Sequence, residues 1–128
     1  MRHFICVAAT VALLASANTV AAKATKPAFQ LNGTSWTFVD PDSKVKARES
    51  IDAKGNYIEN AASGKHLDHG TAVMKDGKAC FTSAMNSNGE ECWKVTPVRI
   101  GHSITVVSDK GQKLRVKRVA YARLSMPK

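Results

Sequence analysis

The sequence predicts an all-β domain: a small antiparallel up-and-down barrel or a compact sandwich of about eight short strands with one disulfide. Three observations lead there. No segment beyond the N-terminal export signal sustains a helical apolar period. Turn signals recur roughly every 8–14 residues. Two cysteines, Cys80 and Cys92, remain once that signal is set aside.

The export segment is residues 1–22. Arg2 and His3 form a short basic start, and Ile5 to Ala17 is an apolar run too short to span a bilayer. Val20-Ala21-Ala22 puts small residues before the cut, so cleavage is expected after Ala22 and the mature chain in the periplasm or outside the cell. Cys6 lies near the start of the apolar run and not at its end, which argues against a lipoprotein signal. What remains suits one domain with a modest core. Residues 23–32 are expected as a flexible leader, 33–120 as the β domain and 121–128 as a tail that frays.

Each strand has a local reason. Thr34 to Val39 alternates, with Trp36 and Phe38 on one face, and Asp40-Pro41-Asp42-Ser43 stops it. Lys44 to Ile51 and Asn56 to Glu59 flank a turn around Gly55. Ser63-Gly64 turns the chain toward Leu67 and the extended run Thr71 to Lys75. Asp76-Gly77 is a strong hairpin turn into Lys78 to Ala84. Glu91 to Thr96 carries Cys92 and Trp93 and ends at Pro97. Ser103 to Ser108, the turn Asp109-Lys110-Gly111 and Gln112 to Val119 make the last hairpin. Trp36, Phe38, Tyr57, Phe81 and Trp93 are the candidate aromatic core.

Two cysteines in an oxidising compartment read as one structural disulfide, and C-x₁₁-C lacks the spacing of a redox or zinc motif. The bridge conflicts with a tempting local signal. A tight turn at Asn88-Gly89 would pair Met85 with Cys92 and leave Cys80 about 17 Å away at strand spacing. A disulfide needs Cα atoms within about 7 Å. The expected connection is therefore a loop centred on Asn86.

Charge is distributed unevenly. The formal net charge is +9. Arg2 of the export segment carries one of these charges; residues 23–93 balance, and residues 94–128 hold the remaining excess of +8, with Asp109 their sole acid. In the final strand Lys113, Arg115 and Lys117 fall on one face, with Leu114 and Val116 on the other. With Arg118 and Arg99 they form the candidate anion-binding set. Such a stripe also guards a strand edge against unwanted pairing. Nucleic acid is not the expected partner, because the chain is exported and no interleaved aromatics offer stacking platforms.

Other chemistry is thin. His66, Asp68 and His69 form a candidate metal cluster, with His102 as a distant fourth ligand. An extended chain would put His66 and Asp68 on one face and His69 on the other, so a site needs a turn there. There is no G-x-S-x-G, no H-E-x-x-H and no phosphate-cradling glycine loop. Glu90 and Glu91 are adjacent and face opposite sides of a strand, which separates them as a catalytic pair. Asn32-Gly33-Thr34 matches a glycosylation sequon but reads as the start of the first strand. No enzyme and no cofactor is expected.

Asp68-His69-Gly70-Thr71, Asp76-Gly77-Lys78, Cys80-Phe81-Thr82-Ser83, Cys92-Trp93 and the Asp109-Lys110-Gly111 hairpin together resemble small exported proteins of Gram-negative bacteria, over roughly residues 33–119. That resemblance implies the compartment and the disulfide, and no activity. More distantly, Gly33 and Trp36 as Gly-x-x-Trp are similar to lipocalin-type barrels, among them periplasmic inhibitors of proteases and lysozyme. The functional expectation is a non-enzymatic periplasmic binding domain whose basic C-terminal hairpin meets an anionic envelope component or an acidic protein surface. The alternatives are an inhibitor of a secreted or envelope hydrolase, acting through barrel-mouth loops, and a barrel carrying a small apolar ligand.

Overall fold

The computed structural model describes residues 29–128. The expected export segment, residues 1–22, and residues 23–28 of the expected leader lie outside the described residues. The chain forms eight strands in simple order: β1 (Thr34–Val39), β2 (Lys46–Ile51), β3 (Asn56–Ala61), β4 (His66–Lys75), β5 (Lys78–Ser83), β6 (Glu90–Lys94), β7 (Ser103–Ser108) and β8 (Lys113–Val119). Each pairs antiparallel with the next, and β8 returns to β1 through Ser35 with Val119, Trp36 with Arg118 and Thr37 with Lys117. The sheet is thus a closed barrel, which leaves no free edge.

Period-two alternation sorts the side chains. On β1, Trp36 and Phe38 face inward; on β2, Ala47, Glu49 and Ile51; on β3, Tyr57, Glu59 and Ala61. Small and large residues meet across the strands: Ala72 opposes Phe81, and Ala79 opposes Trp93. The core gathers around Leu31, Trp36, Ile51, Tyr57, Trp93, Val106 and Val116. Gly70 is required by the barrel wall. A Cβ there would sit against the Thr82 carbonyl oxygen and within 3.0 Å of Ala84 N and Ser83 Cα, all of them backbone that cannot yield.

Cys80 and Cys92 are directly opposed in the β5–β6 register and joined by a disulfide. Met85 does not pair with Cys92, and the loop spans the residues between Ser83 and Glu90. Asp76 and Gly77 both take positive φ, 49° and 75°, as a two-residue hairpin turn demands.

Two differences from expectation carry information. β4 is one continuous strand of 10 residues, where sequence signals separate Leu67 from Thr71 to Lys75. The tail, expected to fray, straps across the outside of the barrel. Ala122 N donates to Ser35 Oγ at 3.0 Å, Leu124 N to Ser50 Oγ at 2.9 Å, and Asn60 Nδ2 to the Ser125 carbonyl at 3.2 Å. These bonds explain why Ser35 and Ser50, which point outward, are buried.

Candidate functional site: a basic outer strand and an acidic barrel interior

Lys113, Arg115 and Lys117 all stand exposed on the outer face of β8. On β7 their cross-strand neighbours are Val107, Thr105 and Ser103, none of them acidic. Thr37 on β1 pairs with Lys117 on one side and with Arg48 on the other. The basic stripe therefore continues over β1 to the exposed Arg48 and Lys46 of β2, about 10 Å away by two strand spacings. The ion pairs found among the described residues, Lys75–Glu90 and Lys78–Asp109, use none of these five cations.

Arg118 and Arg99 do not join that stripe. Alternation turns Arg118 inward, where a guanidinium nitrogen donates to the Val98 carbonyl at 3.0 Å and the charge lies 5.8 Å from the Phe29 ring centroid. Its Nε has no partner. Arg99 sits exposed in the loop between β6 and β7, where its carbonyl accepts from His102 N at 3.1 Å.

The histidine cluster is split by a β-bulge. Glu59 opposes Asp68 and Asn60 opposes His66, so Leu67 is an extra residue that shifts the phase of the strand. Strict alternation would place His66 beside Asp68; the bulge instead puts His66 beside His69. Their ring nitrogens lie 3.0 Å apart, and the other nitrogen of His66 meets Asn60 Oδ1 at 2.8 Å. Asp68 turns into the barrel. It accepts from Tyr57 Oη at 2.8 Å, from Ser83 Oγ at 2.5 Å and from the His69 amide at 2.9 Å. The three residues do not converge on one point, and His102 lies in the loop before β7. The one close set of ligand-type atoms among the described residues, Cys80, Glu90 and Cys92, includes both disulfide sulfurs, which cannot act as thiolate ligands.

The feature that sequence reading missed is acidic. Glu49 on β2 opposes Glu59 on β3, and Glu59 opposes Asp68 on β4. Three carboxyl groups thus stand side by side on adjacent strands, all aimed into the barrel. Like charges directly opposed are unfavourable even on a wet sheet, and here Glu49 and Glu59 are each only 8% exposed. Burial pushes the Glu49 carboxyl well above the ordinary range, and the neighbouring Glu59 and Asp68 charges push it further. Burial likewise lifts Glu59 to about 8, helped by the charge of Asp40, a hydrogen bond with that carboxyl, and the charges of Asp68 and Asp42. The Tyr57 hydroxyl is raised by burial and by its hydrogen bond to Asp68. Glu59 Oε1 is buried and has no hydrogen-bond partner.

This wall borders a cavity of about 770 Å³, within the range of small-ligand pockets. Its mouth lies among the β1–β2, β5–β6 and β7–β8 loops, represented by Asp42, Asn88 and Lys110. The wall opposite the acids is apolar, built from Phe81, Trp93, Val106, Leu114 and Val116. The acidic wall had a readable signal. Glu49 falls between Ala47 and Ile51 on the apolar face of its strand, and Glu59 between Tyr57 and Ala61. An acid in phase with core residues is a buried acid.

Compared with family models, curated proteins and solved structures, the chain matches none.

Proposed function

We propose that the protein is a non-enzymatic, exported binding domain of the cell envelope that holds an anionic envelope component, or an acidic protein surface, against the outer face of β8. One observation carries the reading: Lys113, Arg115 and Lys117 project from one strand face, continue to Arg48 and Lys46, and engage no acidic side chain of the described residues in an ion pair. A second supports it. Three of the acids in the formal charge of +9 are drawn into the barrel, and Glu59, raised to about 8, holds its proton near neutrality. The exterior is therefore more positive than the sequence sum. The resemblance to small exported proteins of Gram-negative bacteria supports the compartment, and phosphates or uronates on the envelope supply the matching chemistry.

The test is retention of the oxidised protein on isolated envelope material across a salt series. Retention should collapse between low and moderate salt, because each screened contact steepens the dependence. Lys113→Gln, Arg115→Gln and Lys117→Gln together should abolish it and leave the fold intact. Retention that ignores salt would remove this reading in favour of an inhibitor acting through the mouth loops.

A further inference from the structure

We propose that the barrel interior is a second, independent binding site, for a small organic cation with an apolar body. The ammonium end would lie against the Glu49–Glu59–Asp68 wall and the body against the aromatic side.

The cavity is chemically two-sided. The carboxyls come from adjacent strands at one level, and apolar groups such as Phe81 and Trp93 face them. A wholly apolar guest would leave the Glu59 oxygen that has no partner buried beside hydrocarbon, a costly arrangement. An anion would meet three acids at once. A bare metal ion fits poorly too. Ligand oxygens from the three ladder acids do not all lie within 4.8 Å of one another. Asp68 is also engaged by Tyr57, Ser83 and the His69 amide, whereas calcium needs six to eight converging oxygens. A protonated amine has directional N–H donors for Glu49 and Glu59, and its alkyl or aryl part covers the apolar wall. Trp36 pairs with Glu49 across the β1–β2 register and also lines the cavity, so an aromatic side chain stands at the level of the acids. Its own N–H is spent on Thr34 Oγ1 at 2.8 Å, so it does not compete for the carboxylates.

Proton occupancy couples to the guest. The groups facing Glu59 are Asp40 and Asp42 from the β1–β2 loop, Glu49 from β2, Tyr57 from β3 and Asp68 from β4; Lys110 stands at the rim. No cation among them stabilises the ionised form, so an incoming ammonium takes the role that a proton otherwise fills.

The experiment follows fluorescence of the two tryptophans, Trp36 and Trp93, in the oxidised chain. The titrants share one aromatic body: phenethylamine, 2-phenylethanol and 3-phenylpropionate. Phenethylamine should bind saturably, at least about tenfold tighter than the alcohol, with no binding of the acid. Its affinity should rise between about pH 6 and pH 8 as the carboxyls release protons. Glu49→Gln with Glu59→Gln should weaken phenethylamine about tenfold or more and leave the alcohol unchanged. Lys113→Gln with Arg115→Gln and Lys117→Gln should change nothing here, which separates this site from the outer face. Failure of phenethylamine to bind, or equal binding of alcohol and amine, would overturn the proposal and leave the ladder as buried, protonated structure. Because a glutamine side chain mimics the protonated acid, the double variant should fold, and unchanged phenethylamine affinity in it would equally refute the assignment.

Discussion

Replacing Glu59 with glutamine should stabilise the protein at alkaline pH and leave it nearly unchanged in acid. The reasoning starts from the Glu59 carboxyl, which titrates at about 8 in the barrel against an ordinary value of 4.5. Its native pKa is raised, so the folded state holds the proton more tightly than the unfolded chain does. The corresponding stability is fully present below about pH 4.5, declines as pH rises and is gone above about pH 8. At its steepest the loss is about 1.4 kcal/mol per pH unit. Water reaching through the mouth discounts the total, and about 2–3 kcal/mol between pH 5 and pH 8 is the expected size. Glu49 adds to the trend in the same direction. The substituted amide does not titrate, so the stability of the Glu59→Gln variant should fall less steeply over that window. The assay is urea unfolding followed by tryptophan fluorescence at several pH values, comparing variant with wild type. If the two curves of stability against pH run parallel, Glu59 does not hold its proton in the fold and the argument from burial fails.

Other outcomes follow from the same structure. Gly70→Ala should cost about 3 kcal/mol or more, or prevent folding, since its Cβ meets β5 backbone and not a movable side chain; thermal melts would read it. Reduction, or Cys80→Ser with Cys92→Ser, should cost about 2–3 kcal/mol for a bridge of sequence separation 12, measured by urea unfolding. Tyr57→Phe removes the hydroxyl that donates to Asp68 at 2.8 Å and should cost about 1–2 kcal/mol in the same assay. Ser35→Ala with Ser50→Ala should release the tail, detected as faster amide exchange at Ala122 and Leu124 with the barrel unaffected.

Much of this fold can be read from its residues, because turn chemistry and alternation are local. β1 and β7 fall at their expected bounds, and the Asp76-Gly77 hairpin follows from two residues that tolerate positive φ. The disulfide requirement settled the β5–β6 loop where the Asn88-Gly89 dipeptide pointed elsewhere. The histidine pair was harder to place. A single extra residue, Leu67, reverses which face His66 occupies, and no composition signal marks it. Closure was equally hidden, since barrel and sandwich share local patterns and differ only in whether β8 finds β1. The acidic interior was legible but overlooked. Glu49 and Glu59 count as ordinary charges in a balanced stretch, and only their phase relative to Ile51 and Tyr57 shows that they point inward.

The seam between β1 and β8 also governs when the chain can fold. Every other strand pairing joins sequence neighbours, but this one brings Ser35 to Val119. Hairpins can form as the polypeptide emerges, yet the face carrying Trp36 has no lasting cover until β8 arrives. Closure is therefore a late, non-local event that should dominate the refolding rate. Until then β1 remains an adhesive edge, and a nascent or truncated chain ending before residue 113 is the form in which self-association becomes a hazard.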